Sequence, residues 1–143
     1  MSYQELAEEL CELHFLYSKE LSNIIAKAAS QGEERVLLYL WRHQGQVLSG
    51  ELTKELRLTS GRMANILRVL EKKKYIERRI DAQDKRKVKV ILQEKGRVFI
   101  MDIYKRRLQE HQKLLEELGT KDSRELIRLM KKAIHITDPS LLS

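Results

Sequence analysis

Apolar positions in this 143-residue chain follow two different periods, and the switches between them mark its elements. Leu6, Leu10, Leu13, Tyr17, Leu21, Ile24 and Ala28 recur every three or four residues, the spacing of a helix that buries one stripe. Ser2 and Glu5 form a capping box at its start. A second S-x-x-E, Ser30 to Glu33, opens another helix, with Val36, Leu37, Leu40 and Trp41 inside and Gly45 at its end. Ser49 then caps a helix of about eight residues that turns Leu52, Leu56 and Leu58 inward, and Leu58-Thr59-Ser60-Gly61 reads as a turn. From about Ser60 to Lys73 a further helix buries Met63, Ile66, Leu67 and Leu70, while Arg62, Asn65, Arg68 and Lys72 point away. Two short helices in tight succession, the second with a polar outer face, make a helix-turn-helix.

The period next shortens to two. In Tyr75-Ile76-Glu77-Arg78-Arg79-Ile80 and Lys87-Val88-Lys89-Val90-Ile91-Leu92, apolar residues alternate with charges around the polar tip Asp81–Arg86, which predicts a β-hairpin. Helical spacing returns after Gly96 at Val98, Met101, Tyr104, Leu108, His111, Leu115 and Leu118, and Gly119 closes that helix. Leu126, Leu129, Met130, Ala133 and Ile134 form the inner face of a last helix after Thr120. The fold class is mainly α with a small β-hairpin wing: a winged helix-turn-helix with long N- and C-terminal helices. Those outer helices exceed what the small module needs for its own core, so their apolar faces predict a homodimer.

Composition allows one domain with a real core, at 42% hydrophobic and 34% charged residues. No apolar run approaches the ~18 residues that span a bilayer. The first residues have neither the basic nor the apolar region of a signal peptide, so a cytoplasmic location is expected. The single cysteine, Cys11, fits a reducing compartment and reads as an inert member of a helix core. The net charge of +7 is concentrated: residues 57–97 hold 14 Lys/Arg against 5 Asp/Glu, whereas residues 1–34 carry net −5. A basic stripe alone suits DNA, RNA, an acidic membrane surface or plain solvent. Enzyme chemistry has no support, because no phosphate loop, H-E-x-x-H or nucleophile motif occurs. Cys11 and His14 stand three residues apart, but His43, His111 and His135 are scattered, so neither a metal nor another cofactor is expected.

Leu70-Glu71-Lys72-Lys73-Lys74-Tyr75-Ile76-Glu77-Arg78, Asp81-Ala82-Gln83-Asp84-Lys85-Arg86 and Val90-Ile91-Leu92-Gln93-Glu94-Lys95-Gly96 together resemble the MarR family. Its pattern runs roughly L-E-x-x-G-x-I-x-R, D-x-R-D-x-R, then V-x-L-T-x-x-G, in this order and spacing. The match extends from about Gly32 to Gly96. Lys74 stands in the place of a glycine, Gln83 in that of the first wing arginine and Gln93 in that of a capping threonine. The resemblance implies a single domain over 1–143, with a DNA-binding lobe at 32–96 and a helical dimerisation region at 1–29 and 97–136. It further implies a ligand-responsive repressor that binds a pseudo-palindromic operator. A pocket for a small phenolic or lipophilic effector would lie between the lobe and the dimer helices. Some members sense oxidants through a cysteine on the first helix, but the spacing of Cys11 from Tyr3 and Tyr17 does not follow that pattern.

On this reading the partner is double-stranded DNA. Ser60, Arg62 and Asn65, near the start of the second helix of the motif, would read bases or anchor phosphates, because a helix fits the major groove and its full donor and acceptor code. Arg68, Lys72, Lys85 and Lys87, with Arg57, would grip phosphates. Arg86 matches the wing arginine that the resemblance places in the minor groove, with Asp84 holding its guanidinium. Arg78 and Arg79 alternate faces, so at most one touches DNA. The competing reading is an architectural nucleic-acid protein that binds by charge and shape without a preferred sequence.

Overall fold

The computed structural model describes residues 1–25 and 31–142. In chain order it contains α1 (Tyr3–Ile25), α2 (Gln31–Arg42), β1 (Gln46–Leu48), α3 (Ser49–Glu55), α4 (Ser60–Lys72), β2 (Ile76–Ile80), β3 (Val88–Leu92), α5 (Glu94–Leu118), α6 (Thr120–Thr137) and a closing 3-10 turn (Pro139–Leu142). The chain is mainly helical with one small antiparallel sheet, and it divides into two compact units, Met1–Met101 and Asp102–Ser143.

The first unit is built around one core. Val36, Leu37 and Leu40 of α2, Leu52 of α3, and Met63, Ile66, Leu67 and Leu70 of α4 are all buried, together with Val47, Ile76 and Val90 from the sheet and Ile100 from α5. The four α4 residues are those its sequence spacing predicts. Two long polar side chains tie the helices together around this core. Arg35 Nη2 donates to the carbonyl of Leu56 at 2.8 Å, satisfying an acceptor at the end of α3 that the helix cannot pair itself. Lys73 Nζ meets Glu33 Oε1 at 2.7 Å and so joins the end of α4 to the first turn of α2.

The wing has three strands, in the order β1-β3-β2. β2 pairs with β3 from Ile76↔Leu92 to Ile80↔Val88, and β1 adds Val47↔Val90 on the other edge of β3. Three residues are too few to show an alternation, which is why β1 is not legible as a strand. It also displaces the start of α3. The chain stays extended through Leu48, which takes the N-cap position, and Ser49 becomes the first helical residue instead of the cap; its carbonyl accepts from Thr53 Oγ1 at 3.0 Å. At α1 the expected capping box is present: Ser2 N donates to Glu5 Oε2 at 2.6 Å and Glu5 N to Ser2 Oγ at 3.2 Å. Ala28 and the Ser30 cap lie outside the described residues, as do the side chains of Leu21 and Ile24.

Helices α2, α3 and α4 all end on a left-handed residue that is not glycine: Gln44 at φ 64°, Arg57 at φ 53° and Lys74 at φ 63°. In each case the next amide reaches back to the last turn, Gly45 to Leu40 O at 2.7 Å, Leu58 to Thr53 O at 3.2 Å and Tyr75 to Leu70 O at 3.0 Å. This is the Schellman pattern, in which glycine normally avoids the Cβ clash. Lys74→Gly is therefore expected to raise unfolding stability by about 0.5–1 kcal/mol, read by denaturant titration. An unchanged or lowered midpoint would mean that the lysine contributes more through its side chain than its backbone costs.

α5 shows two faces. Gly96 and Ile100 are buried and Phe99 packs on the core, its ring stacked on Tyr75 with centroids 4.6 Å apart, whereas Val98 and Met101 are exposed. The Val98–Met101 stripe expected from spacing is thus not the one that covers the lobe. In the second unit, Ser123 Oγ donates to Leu115 O at 2.7 Å across the turn at Gly119, yet Leu108, Leu118, Leu126, Leu129, Met130 and Ile134 are all exposed. α6 buries no residue, so its expected inner face is left uncovered among the described residues. The same holds for Leu6, Leu10, Leu13 and Tyr17 of α1. Cys11, expected in a helix core, is exposed for the same reason.

Candidate nucleic-acid interface

Thr59 caps α4, its hydroxyl accepting from Arg62 N at 3.1 Å. With the buried stripe fixed, the 100° step of a helix assigns every other position. Gly61, Asn65, Arg68 and Lys72 fall at the centre of the outward face, and all four are exposed. Ser60 and Ala64 lie on one flank, where they line a cavity together with Arg78 and Val88 of the strands, so the wing stands beside this flank. Arg62 lies on the opposite flank, toward α2: a Cβ built on Gly32 would be 3.6 Å from its Nη2. The structure therefore separates Arg62 from Asn65 and instead joins Asn65 to Arg68, whose Nη2 donates to Asn65 Oδ1 at 2.7 Å.

The end of α4 is clamped to β2. Arg78 donates to Glu71 through Nη2 at 3.0 Å, Nε at 3.3 Å and its backbone N at 3.1 Å. The Arg78 side chain holds the Glu71 carboxyl below the usual carboxylate range, against an opposing effect of burial. Because the folded pKa lies below the unfolded one, this link is intact above the unfolded value and is lost as pH falls through the folded one. Arg79 pairs with Glu77 at 2.7 Å. Neither strand arginine is thus an uncommitted DNA contact.

The wing tip is held by two carboxylates. Asp81 Oδ1 accepts from Gln83 N at 2.7 Å and Asp84 N at 3.3 Å. Asp84 Oδ1 accepts from Arg86 N at 3.0 Å and Arg86 Nε at 3.2 Å. These bonds, backbone ones first in each case, hold both carboxyls below their ordinary range. Asp84 is 30% exposed while Arg86 is 92% exposed, so the carboxylate sits at the base of an arginine that projects outward. Lys85 and Lys87 flank it and are exposed. The turn uses only the backbone of Gln83, so the replacement there leaves its closure intact. Gln93 reaches Glu77 Oε2 with Nε2 at 3.2 Å.

Sequence reasoning misses the Glu71–Arg78 clamp. Its signal is present, since both residues belong to the pattern that carries the resemblance, but nothing in their spacing distinguishes a clamp from two surface charges. Among the described residues there is no cluster of three or more metal-ligating side chains, and no helix is long and apolar enough to cross a membrane.

Residues 33–87 match the sequence model of the MarR family. No curated protein sequence matches the chain. Among solved structures it resembles the YusO protein from Bacillus subtilis, with 16% identity, 94% of this chain and 98% of that one covered, and a TM-score of 0.72. It also resembles MepR, a transcription regulator of the Staphylococcus aureus multidrug efflux pump MepA, at 23% identity, with 96% and 100% covered and a TM-score of 0.72. A point mutant of the S. aureus MepR bound to an oligodeoxyribonucleotide matches at 22% identity, with 96% and 99% covered and a TM-score of 0.60.

Proposed function

We propose, from the match of its winged helix-turn-helix lobe to the MarR family, that this chain is a sequence-specific DNA-binding transcriptional regulator acting in the cytoplasm as a homodimeric repressor. The observation that carries the reading is how charge is arranged on the lobe. The carboxylates of the basic segment are all engaged: Glu71 with Arg78, Glu77 with Arg79, Glu94 with Arg97, Asp81 with backbone amides, and Asp84 with the base of the outward-projecting Arg86. Arg68 and Lys72 on α4, and Lys85, Arg86 and Lys87 on the wing beside it, are left facing outward. A helix of this width enters the major groove, and a narrow hairpin tip reaches the adjacent minor groove, where arginine is attracted electrostatically. The oligodeoxyribonucleotide bound to the MepR mutant supports the same use of the fold. A small-molecule effector remains part of the proposal through the family alone.

The test is selection of binding sequences from a random duplex pool, followed by affinity measurements across a salt series. A regulator should prefer its selected duplex over random DNA by ~10³ or more. Equal affinity for all sequences would instead establish the architectural reading. Within the same series, Arg86→Ala should weaken selected and random duplex alike by about tenfold and reduce the salt slope by about one, as one counterion-releasing charge is withdrawn. Wild-type behaviour of that variant on both would remove the wing from the interface.

A further inference from the structure

Two residues at the centre of the outward face of α4 are linked in a way that the sequence does not announce, because i and i+3 polar residues on a helix are commonly two independent surface groups. Asn65 Oδ1 accepts from Arg68 Nη2 at 2.7 Å, a bond to a charged donor at the short end of the range for its type. We infer that Arg68, oriented by Asn65, is the principal base-reading residue of this helix, with guanine as its target, and that Arg62 is not. The inference rests on the DNA-binding reading of α4 given above.

Three observations converge on it. Asn65 would read adenine by donating to N7 and accepting from N6 with its carbonyl, and that carbonyl already accepts from Arg68. Arginine has five donors in a planar fork. One bond to Asn65 fixes the plane while leaving a pair of parallel N–H groups for guanine O6 and N7. Position agrees: Gly61, Asn65, Arg68 and Lys72 form the centre of the face, and Gly61, one turn before Asn65, has open space where a Cβ would be, so nothing there holds the helix away from a groove floor. Arg62 lies on the flank next to Gly32 of α2, away from the centre of that face. Holding the guanidinium before binding reduces the rotamer entropy lost on contact, which is the advantage of a built reader over a mobile cation.

The experiment uses the full-length chain and duplexes selected by the wild type from a random pool, with each position of the selected sequence then varied singly. The wild type should show a guanine preference at one position of each half-site. Arg68→Ala should abolish it, with a loss of about 10- to 100-fold on the selected duplex and a much smaller one on duplexes lacking that guanine. Arg68→Lys keeps the charge but lacks the fork, and should lose the same preference. Asn65→Ala should lose it as well, and the double variant should be little worse than either single one. Asn65→Asp retains the acceptor and removes the amide donors: it should bind every sequence more weakly yet keep the guanine preference, which an asparagine reading a base itself would not do. Overturning results are equally clear. If Arg68→Lys behaves as wild type, or Arg68→Ala weakens all duplexes equally while lowering the salt slope, Arg68 grips a phosphate. If the pool yields no selected sequence at all, the regulator reading fails together with this one.

Discussion

A glutamate in place of Met130 should convert the proposed dimer of this 16.9-kDa chain into a monomer at micromolar concentration, as measured by sedimentation, and with it remove tight binding to any duplex carrying two half-sites. The reasoning begins with exposure. On α6, Leu129, Met130, Ile134 and Ile136 are 47%, 53%, 36% and 73% exposed; on α1, Leu10 and Leu13 are 66% and 55% exposed. Apolar surface of this extent marks an interaction site. A second copy is the simplest cover, and the charges suit it. α1 carries Glu5, Glu8, Glu9, Glu12 and Glu20 against Lys19, while α6 carries Lys121, Arg124, Arg128, Lys131 and Lys132 against Asp122 and Glu125. Glutamate is a good helix former, so Met130→Glu keeps α6 helical while placing a charge in the contact. Losing the link between two lobes should lower affinity for a two-half-site duplex by about 10²–10⁴, with a single half-site bound as before. A variant that still sediments as a dimer would place the contact elsewhere.

What can be read from the sequence follows from how local each signal is. The stripe Met63, Ile66, Leu67 and Leu70 is legible because a helix against a core imposes its own period, and the Ser2–Glu5 box because its partners are three residues apart. β1 is not, since three residues become a strand only through β3, more than forty positions on. The ends of α2 and α4 are legible, from Gly45 and from the loss of the apolar stripe near Lys73, but the left-handed turns at Gln44, Arg57 and Lys74 are not, because the usual mark of a left-handed residue is glycine. On α5 the spacing contains two apolar stripes, and nothing local says which one faces the lobe. At the candidate interface, composition identifies the basic α4 and wing. The pairing of Arg68 with Asn65 and the turning of Arg62 toward α2 depend on side-chain directions that spacing does not specify.

Gly96→Ala should be the most damaging small substitution in the lobe. Gly96 is buried in the first turn of α5, and a Cβ there would fall far inside van der Waals contact of the Tyr75 carbonyl oxygen, and 3.0 Å from both Tyr75 C and Leu92 Cδ1. The obstruction is backbone, which cannot rotate away. Tyr75 is also committed on both sides: its amide donates to Leu70 O at 3.0 Å, closing α4, and its carbonyl accepts from Gln93 N at 2.9 Å. Moving it would strain the end of α4 and the start of α5 together. Overpacking of this kind costs about 1–3 kcal/mol, and the upper end or beyond is expected where backbone must yield. That corresponds to a thermal midpoint lowered by roughly 6–12 °C, compared at one protomer concentration. Gly32→Ala is the internal control. Its Cβ would lie 2.8 Å from Ile66 Cδ1, the far end of a side chain that can change rotamer, and alanine also gains helix propensity of about 1 kcal/mol. Its net cost should stay below about 1 kcal/mol. Should Gly96→Ala melt no lower than Gly32→Ala, the close approach of α5 to Tyr75 does not set the stability of the lobe, and the glycine at that place has some other cause.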